Sequence, residues 1–231
     1  MPLQADIVIP IYNEAATVEA VTTRLRRACP DANLIFVDNA STDETVAALE
    51  RLGVPQIIRH TRNLGYGRSL SDGIQAARSD IVIIIDADLE YYPEDIPRLL
   101  AQLESSPAVL GSRLLAPGQG GLPWIRSLGN RVVTGLFNLL FRQHITDLYT
   151  GLRGVRRSAL PRCRWRTSGF EFVIELSARL AQAGVQLAEV PIRYAPRTTG
   201  RSKMRHVPEF LKFCFYLLYF RLTPGSTARE V

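Results

Sequence analysis

Two periods of apolar and polar residues alternate along the first half of the chain. Short apolar runs at 5–11, 33–38, 56–60, 80–86 and 108–112 read as buried strands. The stretches between them carry apolar residues three and four apart, as in Val18, Val21, Leu25 and Ala28. That pattern predicts helices over 14–28, 42–52 and 67–78. Pro93 opens a fourth, with Glu94 and Asp95 in its first turn. Ser41 is expected to cap the second helix, with Glu44 completing a capping box. Repeated strand–helix alternation predicts an α/β fold, with a mostly parallel central sheet and helices on both faces.

The pattern loosens beyond residue 115. A Gly/Pro-rich loop is expected at 116–123, then a helix reaching Phe141, a turn into a strand at 147–157, and a helix at 169–183. A strand at 186–194, a basic loop at 196–205 and a helix at 206–221 complete the chain. With no repeat and no clear linker, 1–205 reads as one domain and 206–231 as a C-terminal amphipathic helix and tail.

Composition narrows the class. With 231 residues, 46% hydrophobic and 22% charged, the chain can bury a large core and is not a disordered one. Cys29, Cys163 and Cys214 form no close pair or metal spacing, which points to a reducing compartment. The start of the chain has no basic n-region, so no signal peptide is expected. The formal charge of +6 is divided: residues 1–115 carry 10 Arg against 16 Asp and Glu, net −6, and residues 116–231 carry 18 Lys and Arg against 6, net +12. The basic half suits a phosphorylated substrate or an anionic membrane. No nucleic-acid-binding motif accompanies it. The apolar stretch 210–222 contains Lys212 and Arg221 and falls short of the ~20 residues that span a bilayer. Residues 123–141 carry Arg126, Asn130 and Arg131. Both segments suit a membrane surface, the core, or a second subunit.

Candidate chemistry gathers where the strands end. The apolar run 81–85 meets Asp86-Ala87-Asp88-Leu89-Glu90. In a continuing strand, Asp86, Asp88 and Glu90 would fall on one side, with Ala87 and Leu89 on the other. Hard oxygen ligands beyond the carboxyl end of a strand suit Mg2+ or Mn2+. Ile9-Pro10-Ile11-Tyr12-Asn13-Glu14 and Val37-Asp38-Asn39-Ala40-Ser41-Thr42-Asp43 end the first two strands and can floor a base and ribose pocket. Arg62-Asn63-Leu64-Gly65-Tyr66-Gly67 precedes a helix whose N-terminus could favour an anion.

Taken together and in this order, these motifs resemble family 2 glycosyltransferases of the GT-A (Rossmann-like, nucleotide-diphospho-sugar transferase) fold. Thr146-Asp147-Leu148-Tyr149-Thr150-Gly151-Leu152-Arg153, Gly169-Phe170-Glu171-Phe172, Val190-Pro191-Ile192 and Arg197-Thr198-Thr199-Gly200-Arg201-Ser202-Lys203 are similar to the polyprenyl-phosphate (dolichol-phosphate) mannosyl- and glucosyltransferase branch. The resemblance implies an inverting transfer of a hexose from GDP-mannose or UDP-glucose to a polyprenyl phosphate, at the cytoplasmic face of a membrane. It implies a nucleoside and donor site of Pro10, Tyr12, Asn13, Glu14, Val37, Asp38, Ala87, Arg113 and Ser202. A divalent metal would lie on Asp86, Asp88 and Glu90. Asp88, Asp147, Arg197 and Lys203 would serve transfer, the last two from a loop over the acceptor phosphate. A homodimer or a membrane partner protein is left open. Asn39 stands where the family often has a second Asp, and Glu90 where many dolichol-phosphate enzymes have Gln. Three rivals compete with this reading: transfer to a hydroxyl, nucleotidyl transfer, and a non-catalytic sugar-nucleotide sensor. The first needs a carboxylate base. The second lacks its Gly-rich segment after the first strand.

Overall fold

The computed structural model describes residues 4–115, 124–161, 163–195 and 206–223. The expectations for 116–123 and 196–205, including Arg197, Ser202 and Lys203, lie outside these residues. The expected strands appear as β1 (Ala5–Ile11), β2 (Asn33–Asp38), β3 (Gln56–Arg59), β4 (Ile81–Ile84), β5 (Ala108–Ser112), β6 (Arg153–Arg156) and β7 (Leu187–Pro191). They form one sheet in the order β3-β2-β1-β4-β6-β5-β7. Only β6 runs antiparallel to its neighbours β4 and β5. Because β2 and β4 lie on opposite sides of β1, the strand order reverses there. Such a switch point opens a crevice beyond the strands' carboxyl ends.

Helices α1 (Val18–Ala28), α2 (Thr45–Arg51), α3 (Tyr66–Ala76), α4 (Ile96–Leu103), α5 (Trp124–Phe141), α6 (Phe172–Gln182) and α7 (His206–Leu222) accompany the sheet. Successive β1 side chains feed opposite cores. Ile7 and Ile9 join Val18, Leu25 and Leu99 on one side. Val8 joins Leu70, Phe137 and Phe172 on the other. Gly73 brings α3 close to the sheet: a Cβ there would lie 2.3 Å from Val8 Cγ1. The C-terminal helix α7 is part of this body, with Phe213, Leu217 and Phe220 buried against the second core. Lys212 pairs with Glu171 at 2.7 Å. No helix among the described residues is long and apolar enough to cross a membrane.

Several helix starts differ from expectation: α4 follows a 3-10 turn at Pro93–Asp95, and α6 begins at Phe172 rather than at 169. Helix α1 begins at Val18 because Asn13 takes φ 55° and a turn intervenes, with Thr17 N–H on Glu14 O at 3.0 Å. Helix α2 begins at Thr45, whose N–H donates to Asp43 Oδ1 at 3.0 Å. Ser41 does not cap it; Ser41 Oγ accepts from Asn13 N–H at 2.9 Å.

Asp6 fastens the sheet to the α3–β4 connection. Its carboxylate accepts from Ser79 N–H at 2.9 Å, Ser79 Oγ at 2.7 Å, Asn33 Nδ2 at 2.8 Å and Arg78 N–H. Burial pushes this carboxyl up, but the donors from Ser79, Asn33 and Arg78 outweigh it and hold it below its ordinary value. Asp6 therefore contributes stability above the unfolded carboxyl's pKa, lost as pH falls through the folded one. Asp6→Ala should strand buried donors and lower stability by about 1–3 kcal/mol near neutral pH, with a shrinking difference in acid. Urea unfolding of both proteins at neutral and acid pH measures this.

Candidate active site

The ends of β1 and β2, where a nucleoside pocket is expected, lie side by side. Pro10 stands opposite Val37, and Ile11 opposite Asp38. The loops that follow are laced together. Asn13 Oδ1 accepts from Thr42 N–H at 2.8 Å, Glu14 N–H donates to Thr45 Oγ1 at 2.8 Å, and Ala15 N–H to Asp43 Oδ2 at 3.2 Å. Asp38 is buried and accepts from Ser41 N–H at 3.1 Å, while Tyr12 is half-buried and Asn13 exposed. Val37 supports this pocket without lining it, since its side chain packs in the core beside Gly73. Ala87 likewise packs its methyl into the other core.

Asn39 explains its own departure from the family pattern. Its Oδ1 accepts from Leu64 N–H at 2.8 Å, and its Nδ2 donates to Asn63 Oδ1 at 2.9 Å. An Asp there could not make the second bond. The third loop is thereby fixed, but its helix is not an anion site. Gly67 N–H and Arg68 N–H at the start of α3 both donate to Ser168 O, at 2.7 and 3.2 Å. Gly65 permits the approach, with φ +97° and room for no Cβ: one would lie 2.3 Å from that carbonyl oxygen. The anion expected at this helix end is replaced by the protein's own backbone.

The acidic loop lies beyond β4, yet its acids do not share a strand face. The strand ends at Ile84 and Leu89 takes φ 63°, so the two-residue alternation stops before the acids. Among the described residues no three His, Cys, Asp or Glu side chains form a metal-ready cluster. Asp86 Oδ1 accepts from Tyr66 Oη at 2.8 Å. Its other oxygen sits over Gly151, where a Cβ would come within 2.2 Å of Oδ2. Asp88 Oδ1 accepts from Glu90 N–H at 3.1 Å, and Glu90 Oε2 accepts from Tyr194 Oη at 2.8 Å. Burial, with the Glu90 and Glu14 charges, pushes the Asp86 carboxyl up to about 6 against the Tyr66 hydrogen bond and the Arg113 charge. Glu90 and Glu14 lie close to Asp86, and the facing Arg113 is already paired with Asp147, so acidic groups are in excess there. A divalent cation fits that excess, because such ions need only one or two carboxylates when phosphate oxygens supply the rest.

Arg113, at the end of β5, faces this loop. Its Nε and Nη2 fork onto Asp147 at 2.7 and 2.8 Å, and its own N–H reaches Asp147 Oδ2 at 3.0 Å. Asn130 Nδ2 donates to Asp147 Oδ1 at 2.7 Å. The Asp147 side chain is 0% exposed. Burial pushes its carboxyl up, but the Arg113 charge and these hydrogen bonds win and hold it below its ordinary value. The guanidinium lies 5.2 Å from the Tyr194 ring and 5.9 Å from the Tyr91 ring. Tyr91 Oη accepts from Gly151 N–H at 2.7 Å.

Sequence reasoning missed Tyr66, Tyr91, Asn130 and Tyr194. Tyr66 lies inside the Arg62–Gly67 glycine loop, beside the chemistry that the sequence marks. Asn130 sits mid-helix, and nothing local marks it as the partner of Asp147.

Comparison with known proteins follows the same lines. A family model described as glycosyl transferase family 2 matches residues 6–164. The chain belongs to glycosyl transferase family 2. Among this glycosyltransferase's relatives, an undecaprenyl-phosphate mannosyltransferase of Micrococcus luteus is 30% identical, covering 85% of this chain and 86% of that protein. A dolichol-phosphate mannosyltransferase of Saccharomyces cerevisiae is also 30% identical, covering 88% and 82%. Both belong to the branch that the second-half motifs resemble. A crystal structure of glucosyl-3-phosphoglycerate synthase from Mycobacterium tuberculosis, in complex with Mn2+, UDP and phosphoglyceric acid, superposes with a TM-score of 0.75. It is 21% identical and covers 97% of this chain and 80% of its own. The glycosyltransferase has the GT-A fold.

Proposed function

We propose that this glycosyltransferase moves a hexose, with inversion, from GDP-mannose or UDP-glucose to a polyprenyl phosphate at the cytoplasmic face of a membrane. The observation that carries the choice of acceptor is the Arg113–Asp147 fork. A hydroxyl acceptor needs a base, and the carboxylate expected to serve has both oxygens engaged. A phosphate acceptor is already anionic at neutral pH and needs none. The relatives named above supply the lipid.

Tyr12, Asn13, Glu14 and Asp38 hold the nucleoside over a floor at Pro10, with Val37 packed in the core beneath it. Asp88, with Asp86 and Glu90 beside it, would hold Mg2+ or Mn2+. When bound, that ion neutralises charge on the leaving diphosphate. Arg113 stabilises the same charge from the other side, in an orientation set by Asp147 and two tyrosine rings. Asp147 is therefore a positioning residue. Arg197, Ser202 and Lys203 are assigned to the phosphates by sequence resemblance alone. Donor turnover in detergent, measured with and without undecaprenyl phosphate, tests the reading. Acceptor-dependent release of the nucleoside diphosphate is expected, and release indifferent to the lipid phosphate opposes it.

The membrane side of the proposal rests on α5 and α7. Leu211, Phe215, Leu218 and Leu222 form an exposed stripe along α7, and Leu128, Val132 and Leu139 another on α5, which packs beside it. Both belong to the half of the chain carrying net +12 charge. Such surfaces lie in the interface of an anionic bilayer. Phe215→Glu with Leu218→Glu should weaken co-sedimentation with anionic liposomes about tenfold or more, with little change in Tm. Binding by the parent protein should weaken as salt is raised.

A further inference from the structure

We infer that Tyr194 is a positioning residue for the donor site: its hydroxyl aims the Glu90 carboxylate while its ring carries Arg113. The inference rests on the functional reading above, in which Glu90 and Arg113 address one diphosphate from opposite sides. Tyr194 is 5% exposed and donates from Oη to Glu90 Oε2 at 2.8 Å. Fixing that oxygen fixes the direction of Oε1. Charge-assisted hydrogen bonds of this kind are roughly twice as strong as neutral ones. The Arg113 guanidinium lies 5.2 Å from the centre of the same ring. Tyr91 meets that ring edge-on at 5.7 Å.

The backbone around Tyr194 is held on both flanks. Tyr194 forms an antiparallel bridge with Tyr91. On one flank Ala195 N–H donates to Glu90 O at 2.9 Å. On the other, Arg193 N–H donates to Asp95 Oδ2 at 2.8 Å, and Arg193 Nη2 to Asp95 Oδ1 at 3.0 Å. The ring therefore has little freedom, and neither has the carboxylate it holds. A buried tyrosine needs some acceptor for its O–H. Here that acceptor belongs to the acidic loop, which links the loop to the arginine across the crevice. Neighbours that orient metal-binding side chains in this way typically change metal affinity about 10–100-fold when removed.

Tyr194→Phe removes the hydroxyl and keeps the ring under Arg113. Free Mn2+ is followed by electron paramagnetic resonance as it is titrated into protein with UDP or GDP. The expected result is a half-saturating Mn2+ concentration raised about tenfold, with Tm close to the parent value. In a Glu90→Ala background, Tyr194→Phe should add nothing to the Mn2+ requirement. Tyr194→Leu, which also removes the ring, should in addition raise the donor KM through Arg113. Unchanged Mn2+ dependence in Tyr194→Phe, or the same loss in the Glu90→Ala background, overturns the inference. If the unaltered protein binds the diphosphate without regard to Mn2+, the functional reading falls, and this inference with it.

Discussion

Asp88→Ala should give a folded protein that no longer binds a nucleoside diphosphate in a metal-dependent way and transfers about a thousandfold more slowly. Asp88 is the central acid of this loop, between Asp86, which Tyr66 holds, and Glu90, which Tyr194 aims. Asp88 is half-buried, and its side chain caps the Glu90 N–H that follows it. Losing that cap alone costs only about 1 kcal/mol, too little to unfold the domain. Calorimetry of UDP and GDP with and without Mn2+, in both proteins, separates the outcomes. A variant that keeps the parent's metal dependence removes Asp88 from the site.

The same site predicts a pH effect in the unaltered protein. The Asp86 carboxyl is pushed up to about 6, first by burial and then by Glu90 and Glu14. A folded value above the unfolded one means stability that is fully present below the unfolded pKa and lost as pH rises through about 6. Metal-free protein should therefore lose this contribution at neutral pH, and Mn2+ should restore it. As pH falls through the same range, protons compete with the ion and half-saturating Mn2+ should rise. Thermal melts at two pH values, with and without Mn2+, measure both signs.

Arg113→Met should be the other severe variant. It removes the one guanidinium that faces the acidic loop from the end of β5 and leaves Asp147 buried without its counter-ion. Breaking a buried pair from one side costs about 3–5 kcal/mol. Loss of one preorganised group facing developing charge costs about a hundred- to a thousandfold in kcat. Asp147→Asn separates positioning from proton transfer. A positioning residue predicts lower turnover with the acid limb of the pH–rate profile kept. If Asp147 were a general base, its own acid limb would vanish in that variant.

The fold was legible because its signals are local. Apolar runs set the strands of the first half, and β5 occupies the predicted residues. The joined ends of β1 and β2 were legible for the same reason, since Asn13 and Asp43 sit just past them and their side chains bond across the gap. Geometry that depends on distant partners was not. The acids after β4 were read as a continuing strand, but the strand ends at Ile84, Leu89 takes a left-handed φ, and Glu90 is bonded to Tyr194 and Ala195 a hundred positions away. The glycine loop was read as an anion cradle because nothing nearby signals that Ser168 O would fill it. Asp147 could be singled out by motif, but its fork with Arg113 spans 34 positions and its bond to Asn130 another helix. Separations of that size are fixed by the sheet order, which no local pattern encodes.

The central claim is transfer to a lipid phosphate, and a matched pair of acceptors tests it most directly. Purified protein is given GDP-mannose or UDP-glucose labelled in the hexose, with Mn2+, and either undecaprenyl phosphate or undecaprenol in the same detergent. The account predicts labelled lipid with the phosphate, from one of the two donors, and none with the alcohol. Label passing to the alcohol, or to a sugar hydroxyl, but never to the phosphate would contradict it.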